Sequence, residues 1–221
     1  MQPTMQLYAH PFSSYCQKVL IALYENAIPF EFRMLSPDHP EHAAEHARLW
    51  PLQRMPLLVD GPRTVFESSI IIEYLDQHHR GAVRWLPEAP DDALEVRLLD
   101  RFFDQYVMTP MQRIVLDYLR PADHRDACGV AEAHKLLESA YAWLDARLAG
   151  RQWAAGTAFT LADCAAAPSL FYADWVHPVP AACPHVRAYR SRLLARPSFS
   201  RAVDEARPYR SFFPPGAPDR D

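Results

Sequence analysis

The residue types and spacings best suited to chemistry lie in His10-Pro11-Phe12-Ser13-Ser14-Tyr15-Cys16-Gln17-Lys18-Val19. This segment joins a short apolar strand, Leu7 to Ala9, to an amphipathic helix that ends near Asn26. It places a hydroxyl and a thiol in the first helical turn, where unpaired N–H groups and the helix dipole favour an anion. Ser13-x-x-Cys16 has the spacing of the Cys-x-x-Cys redox motif with serine in first place. That place normally holds the reactive thiolate, so a serine there points to a site that binds a thiolate supplied by another molecule. Two other readings stand beside this one. Ser13 is also a common helix N-cap. Cys16, in the first turn of a helix, is either a lowered-pKa nucleophile or an inert core thiol.

Other candidates are weaker. His39, His42 and His46 fall at i, i+3 and i+7, a spacing open to metal ligation. No Cys or Asp set completes a site, and a solvated helix face is the better reading. His10 adjoins the active turn, where it either tunes the turn electrostatically or packs beside the strand end. Thr160 and Asp163 have capping-box spacing ahead of an apolar run, which is a folding signal.

These residues need elements to hold them. Gln6 to His10 reads as a strand, Ser13 to Asn26 as a helix with Val19, Leu20, Leu23 and Tyr24 on one face, and Pro29 to Met34 as a half-buried strand. A short irregular helix is expected over 36–48. Leu57 to Val59 and Val65 to Phe66 flank Asp60-Gly61-Pro62-Arg63, a hairpin turn signal. Ser68 to His79 is the third helix. The order β-α-β-α-β-β-α predicts a four-stranded mixed sheet with a right-handed crossover. A linker over 83–91 leads to an Asp92–Glu95 capping box. Helices follow over 92–119, 130–148, 161–176, 184–195 and 198–206, the first kinked or divided at Pro110. The tail 214–221 is expected to be poorly ordered.

Composition narrows the function. The 221 residues are 49% hydrophobic and 23% charged with a net charge of −4, which argues against a nucleic-acid or anionic-membrane partner. No apolar run reaches the roughly 20 residues of a membrane span. No basic segment with an apolar core follows Met1, so no secretory signal is expected. Four cysteines without paired or metal-type spacing suggest reduced thiols in the cytoplasm.

Four local patterns together resemble the cytosolic glutathione S-transferase superfamily, in its bacterial-type serine active-site variant: the Ser13-x-Tyr15-x-x-Lys18-Val19 turn, Arg54-Met55-Pro56-Leu57, Glu67-Ser68, and Gly156-x-x-Phe159-Thr160-x-Ala162-Asp163. The resemblance covers nearly the whole chain. It implies a thioredoxin-like glutathione-binding domain over 1–82, the linker 83–91 and an all-α domain over 92–221. Ser13 matches the catalytic serine, whose hydroxyl donates to the glutathione sulfur and lowers its pKa. A shift of about 2 units needs roughly 2.7 kcal/mol, which one charge-assisted hydrogen bond and a helix N-terminus can supply. Pro56 matches a cis proline, although an ordinary trans proline opening a strand is the general prior. Met55 would pair its backbone with the cysteinyl unit. Glu67 would accept from the γ-glutamyl ammonium, and Ser68 with the helix amides would hold its α-carboxylate. Ser68 also serves as a plausible N-cap, and Glu67 as a solvated charge. Arg54 would pair with the glycyl carboxylate or stand solvated. Most relatives carry Asn-Pro-x-Gly where this chain has Trp50-Pro51-Leu52-Gln53. Phe12, Tyr106, Met108, Met111, Tyr172 and Trp175 either line an apolar co-substrate pocket or belong to the core.

The implied activity is conjugation of glutathione, the co-substrate, to a small hydrophobic electrophile, without a metal, in a homodimer joined through helices near 68–79 and 92–119. The alternatives are a glutathione-dependent oxidoreductase or dehalogenase using Cys16, and a glutathione-binding module without turnover.

Overall fold

The structure is a computed structural model that describes residues 5–221. Strands β1 (Gln6–Ala9), β2 (Glu31–Met34), β3 (Leu57–Asp60) and β4 (Arg63–Phe66) form one sheet in the order β2-β1-β3-β4. β1 pairs in parallel with β2 and antiparallel with β3, and β3 forms the hairpin with β4. Helices α1 (Ser14–Glu25), α2 (Pro40–Leu49) and α3 (Ser68–His78) complete this thioredoxin-like unit. The parallel pair needs a crossover because its strands run the same way, and α1 supplies it. The remainder is helical: α4 (Pro90–Phe102), a π-helical stretch (Phe103–Met108), α5 (Thr109–Asp117), α6 (Ala127–Leu148), α7 (Leu161–Val176), α8 (Pro184–Leu194) and α9 (Pro197–Ala206).

The core is centred on α7, whose residues Leu161 through Asp174 are all buried. A helix apolar on every side must be surrounded, and α1 is one of the helices packed on it. α1 is therefore enclosed as well, and every residue from Cys16 to Leu23 is buried, not one stripe. The Thr160–Asp163 box forms: the buried Asp163 carboxylate accepts from the Thr160 N–H (2.8 Å) and hydroxyl (3.1 Å). It also accepts from Ala154 N–H (2.8 Å) and the Tyr189 hydroxyl (2.6 Å). Thr160→Ala is expected to cost about 1–2 kcal/mol, read as a lower urea midpoint with unchanged glutathione affinity.

Three expectations require correction. The Asp92–Glu95 box does not form. Pro90 starts α4 earlier, behind Ala89, because its fixed φ suits the first helical position. Glu95 instead accepts from Arg147 (2.8 Å) and Arg151 (2.6 Å). The first long helix is interrupted before Pro110, by the π-helical stretch, and Pro110 then sits in the first turn of α5. The tail is docked: Arg220 donates to the Asp174 carboxylate and carbonyl, and Asp221 accepts from Arg207 and Arg210. Asp174 is buried, accepts from Val179 N–H and faces Arg190 at 3.4 Å, so the tail adds a second cation to this carboxylate.

Candidate functional site

Ser13 stands just ahead of α1 in extended conformation, and its Oγ accepts from the Cys16 N–H at 3.5 Å. Its own N–H donates to His10 C=O at 3.0 Å. The turn is tethered to the helical unit. Gln17 Nε2 donates to Pro11 C=O (3.0 Å) and to the Tyr172 hydroxyl (3.1 Å), and Tyr172 in turn donates to Phe12 C=O (3.2 Å). Capping uses a lone pair of the serine oxygen and leaves its O–H to donate elsewhere. The cap and the thiolate donor are thus compatible roles of one group.

Three cavities meet at Ser13. The largest, about 660 Å³, is bordered by Arg54, Met55, Pro56, Glu67 and Ser68 together with Tyr15. The expected peptide-binding residues are therefore brought together from two separate segments beside the active turn. The Met55–Pro56 bond is cis. Glu67 is exposed and is the N-cap residue of α3 at φ +68°, so Ser68 is its first helical residue and not the cap. Gln53 adopts φ +51°. Side chains rarely occupy that left-handed region, and of the three non-glycine residues found there among the described residues, two border this cavity. Such strain concentrates at ligand sites.

Beneath the cavity lies an ion set that sequence reasoning missed. Lys18 is almost fully buried and meets Asp100 at 2.5 Å, Asp104 at 2.9 Å and Ser69 Oγ at 2.9 Å. Arg101 pairs with the same two aspartates, each at 2.8 Å, and reaches Ser69 Oγ. Two cations balance two carboxylates there. Arg101 and Asp104 also border the cavity, as do Thr109 and Gln112. The available signal was a lysine inside an otherwise apolar helix with Asp100 and Asp104 four apart on another.

Cys16 is wholly buried, and burial pushes its thiol up to about 11, against the opposing pull of its hydrogen bonds. At neutral pH it remains a thiol, which is the poorer nucleophile. Burial likewise pushes the Tyr15 hydroxyl up to about 12, leaving it a phenol beside the cavity.

A second cavity, about 330 Å³, runs from Ser13 and Arg54 to α5 and is lined by Phe12, Met111 and Tyr172. Trp175 stands behind it, 6.4 Å from Phe12 and 5.2 Å from Tyr172 by ring centroid. Tyr106 is not in the cavity. It lies on another face with Leu98, Phe102 and Trp143, since residues five apart, as Tyr106 and Met111 are, point roughly 140° away from each other on a helix of 3.6 residues per turn. Met108 is core. Among the histidines, His46 is buried and bonds Arg54 C=O at 3.1 Å, so it leaves the solvated face. Ligand atoms of His39, Glu41 and His42 lie within 4.8 Å of one another. Arg33 sits 3.4 Å from His42 Nε2, setting a cation against any metal there.

Family models give the same division of the chain into a sheet-containing and a helical part. Residues 7–82 match the model described as glutathione S-transferase, N-terminal domain, and residues 81–197 match glutathione S-transferase, C-terminal domain. Among solved structures, a glutathione S-transferase from Methylobacterium radiotolerans in complex with glutathione sulfonate is 30% identical, with 90% of this chain and 94% of that one covered and a TM-score of 0.78. Among curated proteins, a probable maleylacetoacetate isomerase of Vibrio cholerae is 28% identical over 215 residues, covering 91% and 96% of the two chains. A stringent starvation protein A homolog of Coxiella burnetii is 26% identical over 204 residues, covering 91% and 92%.

Proposed function

The chain belongs to the glutathione S-transferase family, and from that premise we propose that it conjugates glutathione to a small hydrophobic electrophile, with Ser13 holding the thiolate. The observation that carries this reading is the position of Ser13. Its hydroxyl lies where the cavity of Met55, Glu67 and Ser68 meets two apolar cavities. Glutathione would fill the first, with its γ-glutamyl head at Glu67 and the α3 amides and its glycyl carboxylate near Arg54. Its sulfur would lie at Ser13. The helix N-terminus and the hydroxyl donor both favour the charged form of the thiol. Phe12, Met111 and Tyr172 would offer the electrophile an apolar wall.

Cys16 is the weaker candidate because it is buried and protonated. Paired variants separate the readings. Ser13→Ala should lose conjugation while Cys16→Ser keeps it. The reverse outcome, with disulfide reduction lost in Cys16→Ser, would transfer the chemistry to the thiol. Glutathione binding without any rate above the uncatalysed reaction, across a broad electrophile panel, would indicate a binding module. Absence of glutathione binding by calorimetry would end all three.

Glu67→Gln tests the peptide half. Removing one charge-assisted hydrogen bond of about 1.5–3 kcal/mol from bound substrate should raise the KM for glutathione roughly 10- to 150-fold with little change in kcat. Steady-state kinetics at varied glutathione would check this.

A homodimer is part of the same proposal. Ile70 on α3, Leu94 and Leu98 on α4, and Trp143 on α6 are large apolar side chains left exposed, a pattern that marks interaction surfaces. A reduced cytoplasmic setting agrees with four cysteines that are all free. Among the described residues, no helix is long and apolar enough to cross a membrane.

A further inference from the structure

The loop that carries Arg54 and Met55 hangs from the end of α2. Trp50 N–H donates to His46 C=O at 2.8 Å, and Gln53 N–H donates to Trp50 C=O at 2.9 Å. The Trp50 ring stacks on Phe66 of β4 at 4.0 Å. The last tie before the cis bond is made by a side chain, with His46 Nε2 lying 3.1 Å from Arg54 C=O. A carbonyl oxygen only accepts, so Nε2 carries the hydrogen and donates it. Among the described residues of α2, His46 alone is buried, at 4% exposure, and its ring lies nearly parallel to that of Tyr8 on β1. A polar ring held inside the unit needs a partner, and Arg54 C=O is that partner.

The same bond orients the group at the far end of the peptide unit. In a trans peptide the C=O and the following N–H share one plane and point in opposite directions. The cis bond is Met55–Pro56, and the Arg54–Met55 unit before it is trans. With its C=O drawn back to α2, this unit turns the Met55 N–H away from α2, on the side where Met55 borders the cavity of about 660 Å³. Among the described residues no backbone carbonyl accepts from that N–H, since the β3 ladder begins at Leu57.

We propose that His46 is a positioning residue for glutathione: by holding Arg54 C=O it fixes the peptide plane that aims the Met55 N–H at the cysteinyl carbonyl. The proposal rests on glutathione occupying this cavity with its cysteinyl unit along Met55. His46 does not itself border the cavity and acts through the backbone. Without its bond the plane can rotate about Arg54 ψ and Met55 φ, and binding must then restore one orientation from several. The effect is on affinity for the peptide. Ser13 and the start of α3 belong to other segments and keep their places.

Calorimetry with glutathione tests this. His46→Phe keeps a flat ring beside Tyr8 and removes the donor, and should raise the Kd about 5- to 10-fold, the weight of one neutral hydrogen bond. His46→Gln sets an amide N–H at the reach of Nε2 and should return the Kd to within about 2-fold of wild type. Thr160→Ala, destabilised in the helical unit, should bind glutathione as wild type does. Two readings on wild type need no variant to fold: NMR should place the His46 ring hydrogen on Nε2, and saturating glutathione should slow hydrogen exchange at the Met55 amide. An Nδ1–H ring, or a Met55 amide that exchanges equally fast with and without glutathione, would overturn the assignment. So would a His46→Phe affinity within about 2-fold of wild type, no recovery in His46→Gln, or an equal loss in Thr160→Ala. If wild type binds no glutathione at all, the reading of the cavity fails first, and the role of His46 fails with it.

Discussion

Replacing Ser13 with alanine is expected to raise the pKa of bound glutathione's thiol by about one to two units. The variant loses one hydrogen bond to a charged sulfur, worth about 1.5–3 kcal/mol, and 1.36 kcal/mol corresponds to one unit. Below the thiol pKa the rate follows the thiolate fraction, so conjugation at pH 6.5 should fall roughly 10- to 150-fold. The loss should shrink as pH rises through the new pKa, because more of the sulfur ionises without help. The helix N-terminus remains in the variant and contributes its own smaller share, about 0.3–1 kcal/mol. A pH–rate profile of kcat is the measurement. A vertical drop with an unmoved pKa would mean that Ser13 positions glutathione without ionising it. Cys16→Ser serves as the control, since a buried thiol held near 11 contributes no charge at these pH values.

The second large effect concerns stability. Lys18→Met keeps the length of the aliphatic stem and removes the ammonium that faces Asp100, Asp104 and Ser69. Both carboxylates are nearly buried and would be left with Arg101 as their shared cation. Breaking one partner of a buried ion set costs about 3–5 kcal/mol. For a chain of this length each kcal/mol moves the thermal midpoint by about 2–4 °C, so a fall of roughly 6–20 °C is expected in circular dichroism melts. Combining Lys18→Met with Asp104→Asn should recover much of the loss, because Arg101 then balances the one remaining carboxylate, Asp100. A single variant within 2 °C of wild type would show that Arg101 and solvent compensate. The KM for glutathione should rise in Lys18→Met as well, since Asp104 and Arg101 border the same cavity.

The sequence was most informative where the physics is local. The Asp60-Gly61 turn, the alternating strands and the Thr160–Asp163 box each depend on groups within a few residues of one another, and all formed as read. The residues proposed for the site were legible as a group, because Ser13, Met55 and Glu67 each stand at an element boundary with its own composition signal, and all three border one cavity. Spacing alone was insufficient elsewhere. Asp92 and Glu95 have the same i, i+3 separation as the box that forms. There, Pro90 sets an earlier start, and arginines 52 and 56 residues away take Glu95. Tyr106 was grouped with Met111 by its apolar, aromatic character, which does not fix the face it occupies; it lies instead beside Leu98, Phe102 and Trp143.

What the sequence by itself determined, then, was the order of elements, the caps at Ser13 and Thr160 and the identity of the groups at the active turn. Hydrogen bonds and apolar alternation within one or two turns decide those. The tertiary structure alone decided which groups are charged and which are accessible. Lys18 and Asp104 are 86 positions apart and pair only because α1 packs inside the helical unit. The same enclosure makes Cys16 an inert thiol, while Ser13, three residues earlier, stands at the junction of three cavities. Desolvation depends on every element packed around a residue, so no window of neighbouring residues could have separated the hydroxyl that faces the cavities from the thiol that does not.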